Sequence, residues 1–179
     1  MGIKIRRCDL RKTPPIVGLS SEGKVRHLVD AFVDHGYITT GLRQAMHLNE
    51  LALFLYAVIL DVKPKGVEAF CTRMRKYPPK ENEVRFLNLF ETLLKDPETL
   101  KHIEFYTNSD RVEVIWKYNV PSKFNGLDVR GKKADRIVRM NAKQFAMLHT
   151  WLITPPQDSS KFSPEMYQEY GKTFEEMMV

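Results

Sequence analysis

The sequence predicts an α+β fold dominated by helices, about six or seven of them, with one small antiparallel hairpin or three-stranded sheet. Three observations lead there. Apolar residues recur with the helical period through most of residues 21–95. The period then shortens to two over Val112–Val120. Three Pro-Pro pairs, Pro14-Pro15, Pro78-Pro79 and Pro155-Pro156, punctuate the chain, and each removes donors that a helix or strand would need.

The elements follow in order. Residues 1–20 read as an extended basic arm. The first helix is expected from about Ser21 to His35, because Val25, Leu28, Val29, Phe32 and Val33 form one apolar stripe. Gly36 stands where a C-terminal cap glycine belongs. A second helix, opening at Thr40 or Asn49, contains the apolar run Leu51–Leu60 and ends before Lys63-Pro64. It is apolar all round, so it belongs at the centre of the core. It is too short for a bilayer, which takes about 20 residues. Val67, Phe70, Cys71 and Met74 mark a third helix, and Phe86, Leu87, Phe90, Leu93 and Leu94 a fourth. Asp96-Pro97 has the composition of a cap and first turn, predicting a short fifth.

Val112, Val114, Trp116, Tyr118 and Val120 alternate with mostly polar residues, which predicts a half-buried strand with Trp116 facing inward. Ile103–Thr107 precedes it across the turn composition Asn108-Ser109-Asp110, so the two read as a hairpin. A pair of strands is marginal alone, and Ile137–Met140 is the candidate third strand. Asn141 and Gln144 have the spacing of a capping box for a helix carrying Phe145, Leu148, Trp151 and Leu152. Ser163-Pro164 opens a last helix. The expected organisation is a basic arm over 1–20, one globular domain over 21–154, and a linker with an acidic C-terminal helix over 155–179.

At 179 residues, with 43% hydrophobic and 28% charged, the chain can bury a core and is not wholesale disordered. Its two cysteines, Cys8 and Cys71, form no CxxC pair, which excludes a zinc ribbon or thioredoxin site. Scarce cysteine and the lack of an export signal point to an intracellular, cytoplasmic protein, with the nucleus also open, and neither secretion nor a transmembrane segment is expected. Arg6 occupies the position where a myristoylation pattern wants Ser or Thr.

No enzyme motif is present. Gly126–Lys133 matches the spacing of a phosphate loop, but Lys133 stands where magnesium binding needs a hydroxyl, so it reads as a basic turn. His27, Asp30 and Asp34 share a helical face opposite the apolar stripe and read as solvated. His47 and Glu50 are a single pair in the wrong order for a di-metal bundle site. No HExxH or GxSxG occurs. No cofactor, metal or small-molecule substrate is expected.

Charge is the informative feature. The net charge is +6, and residues 117–143 hold eight basic side chains, Lys117, Lys123, Arg130, Lys132, Lys133, Arg136, Arg139 and Lys143, against Asp128 and Asp135. The N-terminal arm adds Arg6 and Arg7 among its own basic residues. Such clusters neutralise phosphates, so these ten residues are the candidate nucleic-acid contacts, with RNA preferred over DNA. Beyond the last Pro-Pro pair, Tyr167, Tyr170, Phe174 and Met177 form an apolar stripe among glutamates, a candidate self-association face. The expected function is a non-enzymatic assembly protein of the coat, nucleocapsid or matrix type that binds nucleic acid and forms a homo-oligomer. A protein–protein adaptor, or a peripheral protein on anionic membrane, is the alternative.

Overall fold

A helix that turns every 3.6 residues shows all its sides within two turns, so an uninterrupted apolar run must be enclosed from every direction. The computed structural model, which describes residues 4–12, 22–76, 85–124 and 137–153, shows that arrangement around helix α2 (Leu48–Ile59). Every residue from Glu50 to Ile59 is buried. Helix α1 (Glu22–Asp34) packs on it with Phe32 and Phe54 edge to face at 5.5 Å. Tyr56 meets Phe70 of α3 (Val67–Lys76) at 5.6 Å, Phe86 of α4 (Phe86–Lys95) at 5.2 Å, and Phe105 of the sheet at 5.6 Å.

Helix ends follow local chemistry. The stripe of α1 is buried at Val25, Leu28, Val29 and Phe32. Gly36 caps it at φ 69°, with Tyr37 N–H donating to Phe32 O at 2.8 Å and Gly36 N–H to Val33 O at 2.9 Å. The same pattern closes α2, where Asp61 takes the left-handed position at φ 52° and Val62 N–H donates to Ala57 O at 3.0 Å. Thr40 does not open α2; the helix begins at Leu48 with no side-chain cap. Asp96-Pro97 does not start a helix either. Glu98 N–H donates to Asp96 Oδ1 at 3.2 Å, a single turn that delivers the chain into strand β1 (Leu100–Tyr106).

The sheet is antiparallel with order β3-β2-β1-β4, where β2 is Val112–Trp116, β3 Ser122–Phe124 and β4 Ile137–Asn141. The expected hairpin and third strand are both present, and β3 is a fourth strand the sequence did not announce. β2 stops at Trp116, so Tyr118 and Val120 are not inward strand residues. Ile103, Phe105, Val112, Val114 and Met140 form the inner face. Helix α5 (Ala142–Ile153) opens with the expected reciprocal cap: Asn141 N–H donates to Gln144 Oε1 at 2.8 Å, and Gln144 N–H to Asn141 Oδ1 at 2.9 Å. Phe145 of α5 then meets Phe90 of α4 at 5.7 Å. The fold is α+β, with five α-helices and four strands among the described residues, rather than six or seven helices and two or three strands. The helix expected from Ser163 lies outside them.

The first residues are not a free extended arm. Arg7–Lys12 form a 3-10 helix, and Ile5 and Leu10 are fully buried. Lys4 N–H donates to Leu152 O at 3.0 Å, and Met46 N–H to Ile5 O at 2.7 Å. Two apolar residues among the charges are enough to dock the segment, so the packed unit begins before residue 21.

Truncating a buried large side chain removes its transfer energy and leaves a cavity. Phe54→Ala, Leu55→Ala and Leu10→Ala should therefore each lower stability by about 2–5 kcal/mol in urea unfolding. A loss at Leu10 below about 0.5 kcal/mol, the surface value, would mean the N-terminal segment is free after all.

Candidate nucleic-acid interface

The outward face of the sheet is a row of charges. Register places Lys123, Glu113, Glu104 and Arg139 side by side across the four strands. Glu104 Oε1 accepts from Arg139 Nη2 at 2.6 Å and Nε at 3.0 Å, and Glu104 Oε2 accepts from the Tyr106 hydroxyl at 3.0 Å. Glu113 Oε1 lies 3.6 Å from Lys123 Nζ and 3.4 Å from Arg111 Nε. The Arg111 guanidinium also covers the Tyr106 ring at 3.8 Å. Two glutamates facing each other across β1 and β2 would repel, and the flanking cations offset that. Lys123 and Arg139 are thus engaged inside the sheet.

The N-terminal candidates are engaged too. Arg6 grips Asp9 with Nε to Oδ2 at 2.9 Å and Nη2 to Oδ1 at 3.0 Å, and Arg7 Nη1 donates to Thr40 O at 3.1 Å. The first pair braces the 3-10 helix internally, and the Arg7 bond fastens it to the loop before α2. Arg130, Lys132, Lys133 and Arg136, with the phosphate-loop-like Gly126–Lys133, lie outside the described residues, as do Tyr167, Tyr170, Phe174 and Met177.

Lys117 and Lys143 remain, and the register adds a third. Leu100 pairs with Trp116 and His102 with Asn141, which puts Lys101, Lys117 and Lys143 at one end of the sheet. All three are exposed. Among the described residues, no carboxylate pairs with any of them. Lys101 escaped the sequence reading because its neighbours along the chain are not basic; only strand pairing brings it to the others. The ends of the basic connection, Phe124 and Ile137, sit on the two opposite edge strands.

Other polar groups serve structure. Glu50 is buried and accepts from Thr39 N–H at 2.9 Å, Thr39 Oγ1 at 2.7 Å and Thr40 Oγ1 at 2.6 Å. Asp30 pairs with Arg11 at 3.1 Å across a cavity of about 170 Å3 that Arg7, Val29, Val33, Asp34 and Leu42 also line. That is below the roughly 300–1,000 Å3 of ordinary small-molecule sites. No cluster of three metal-ligating side chains occurs among the described residues, and no described helix is long and apolar enough to cross a membrane. Burial pushes the Cys71 thiol up to about 12, so it is not a nucleophile.

No protein-family model matches the chain, and comparison with curated proteins and with solved structures gives no match. The surface chemistry is therefore the basis for a functional reading.

Two measurements follow from these environments. In native protein a thiol reagent should modify half-buried Cys8 and spare Cys71, which should react only after unfolding. Modification of both at equal rates would contradict the packing of α3. The second is pH. Burial acts to raise the carboxyls of Glu50, Glu104 and Asp9, but hydrogen bonds from Thr40 and Thr39, from Arg139 and Tyr106, and from Arg6 outweigh it and hold all three below the ordinary range. Their stabilisation is present above the unfolded carboxyl value near 4.5 for Glu and is lost as pH falls through the folded values. Burial, and then the Arg139 charge, push His102 below its ordinary 6.5, so it disfavours the fold from that pH downward. Glu91, pushed up by burial, acts in the opposite sense. Melting temperature should begin to decline below about pH 6.5 and steepen below about 4.5. His102→Gln should remove the upper part of the decline and Glu50→Gln should flatten the lower. A profile identical to wild type in both variants would refute these assignments.

Proposed function

We propose that this is a non-enzymatic assembly protein of the coat, nucleocapsid or matrix type. It binds nucleic acid, RNA by preference, through basic surface and self-associates through its C-terminal segment. The observation that carries the reading is the lysine cluster Lys101, Lys117 and Lys143 at one end of the sheet. Most basic residues elsewhere on the described surface that were candidates for this role already hold partners, and among the described residues no carboxylate pairs with these three. The sequence block that carries Arg130, Lys132, Lys133 and Arg136 joins the sheet at its opposite end, where Phe124 pairs with Val112 and Ile137 with Tyr106, and is a second candidate contact. Unpaired lysines attract phosphate and release its counterions, whereas a lysine already paired with a carboxylate must first give up that partner.

This division makes a test. Alanine at Lys101, Lys117 and Lys143 together should weaken RNA binding and lower the salt slope by nearly one for each phosphate no longer neutralised. Alanine at Lys132, Lys133 and Arg136 should do the same. Alanine at Lys123 and Arg139 should lower the melting temperature more than it lowers affinity. If the last variant loses the most affinity while keeping its stability, the sheet face and not its end is the contact surface. For self-association, a chain lacking residues 157–179 should sediment as a smaller species. A truncated chain that sediments like full-length protein would remove the tail from assembly.

A further inference from the structure

The loop between β2 and β3, residues Lys117–Pro121, carries the two most exposed large apolar side chains among the described residues: Tyr118 is 91% and Val120 83% accessible. A ring this exposed adds nothing to the core, and its aromatic face is open to a partner. Strand alternation would have turned Tyr118 inward. β2 instead ends at Trp116, whose ring packs against the core while its Nε1 donates to Ser122 Oγ at 3.0 Å. That bond closes the base of the loop. Lys117 N–H donates to Thr99 O at 3.1 Å, which fixes the residue before the tyrosine. Tyr118 thus stands one residue beyond an anchored backbone. Lys117 precedes it, and Lys101 follows Leu100, the residue that pairs with Trp116 on the neighbouring strand.

We infer that Tyr118 is a stacking platform for an unpaired base, so that the nucleic acid this protein takes is single-stranded. The inference rests on the nucleic-acid reading above and specifies its substrate class. In a duplex both faces of each base are covered by neighbours, and a protruding ring can reach only edges or phosphates. An unpaired base offers a π-face, and stacking on an aromatic side chain tolerates any base. The nearby lysines then meet the phosphates on either side of that base. Tyr118 supplies the preference for single strands, and Lys101 and Lys117 supply the attraction.

The test uses the full chain, labelled oligouridine, the duplex this makes with oligoadenosine, and vesicles of phosphatidylcholine with phosphatidylserine. Tyr118→Ala should weaken oligouridine binding by about fivefold to 150-fold, the range for removal of one stacked base. It should leave the duplex affinity within about twofold, and Tyr118→Phe should keep most of the single-strand affinity. The salt slope should stay unchanged in Tyr118→Ala and fall in Lys117→Ala. An unchanged melting temperature confirms that the fold is intact. If wild type binds both RNAs and Tyr118→Ala loses nothing, or loses both equally, stacking is overturned while the nucleic-acid reading stands. If wild type ignores both RNAs, that reading falls and this one with it. Vesicle binding without RNA binding, abolished by Tyr118→Ala, would reassign the loop to a membrane surface.

Discussion

Enclosing α2 is the constraint on which the rest of the structure depends. A helix with no solvent face cannot be stable beside one partner, because every uncovered side would leave leucine, phenylalanine or isoleucine in water. Helices α1, α3 and α4 and the sheet are recruited around it, and Tyr56 is the junction. Its ring touches Phe70, Phe86, Phe90 and Phe105, from α3, α4 and β1, at centroid separations of 5.2–6.3 Å. Aromatic pairs at such distances favour edge-to-face or tilted geometry, and each contributes about 0.5–1.5 kcal/mol beyond its buried area. The rings also constrain angles. A Leu-only junction would fill the volume but allow the sheet to rotate against the helices. Interlocked aromatic faces fix the direction in which β1 leaves the core, and therefore which side chains the sheet turns outward.

Two polar tethers hold the irregular segments that packing alone leaves loose. The loop before α2 passes over the buried Glu50, and its threonines supply three hydrogen bonds to that carboxylate. The arrangement satisfies a charge that burial would otherwise penalise by several kcal/mol. In the second tether, Arg73 of α3 forks onto Asp110, a buried aspartate with φ 54° in the β1–β2 turn. The aspartate accepts a strained backbone angle in exchange for a bidentate partner. The Glu50 tether closes a loop of 10–11 positions, whereas Arg73–Asp110 spans 37 and fixes the register of α3 against the sheet.

How much of this was legible in the sequence follows from the range of the signal. Periodic apolar stripes and caps are local, and they located all five described helices, the hairpin and the capping box at Asn141. Signals that depend on distant partners were not readable. Ile5 and Leu10 are isolated apolar residues in a basic segment, and nothing near them announces that Met46 will bond the backbone of Ile5 and Leu152 that of Lys4. β3 is three residues long, too short for alternation to register. Asp96-Pro97 fits a helix cap and an Asx turn equally well, and the strand pairing of Leu100 decides between them. The candidate site behaved in the same way. A count of basic residues in 117–143 cannot separate Arg139, which grips Glu104, from Lys143, which faces water.

That separation bears on what net charge means for recognition. The +6 of the chain is a sum over side chains with different availability. A cation held by a neutralising carboxylate contributes little field at a distance, because the pair acts as a dipole and salt screens what remains. In the row Lys123–Glu113–Glu104–Arg139 the charges cancel, so the sheet face presents hydrogen-bonding groups rather than a positive surface. The field is left to residues whose neighbours carry no acid. Strand register, set by the inner apolar face and so by the demand of α2, decides which lysines those are. Lys101 is the clearest case, since the irregularity in register between Leu100 and His102 sets it apart from the paired ladder, at the same end of the sheet as Lys117. The same packing that encloses α2 therefore sorts the basic residues into those that stabilise the sheet and those that remain available to an anionic partner.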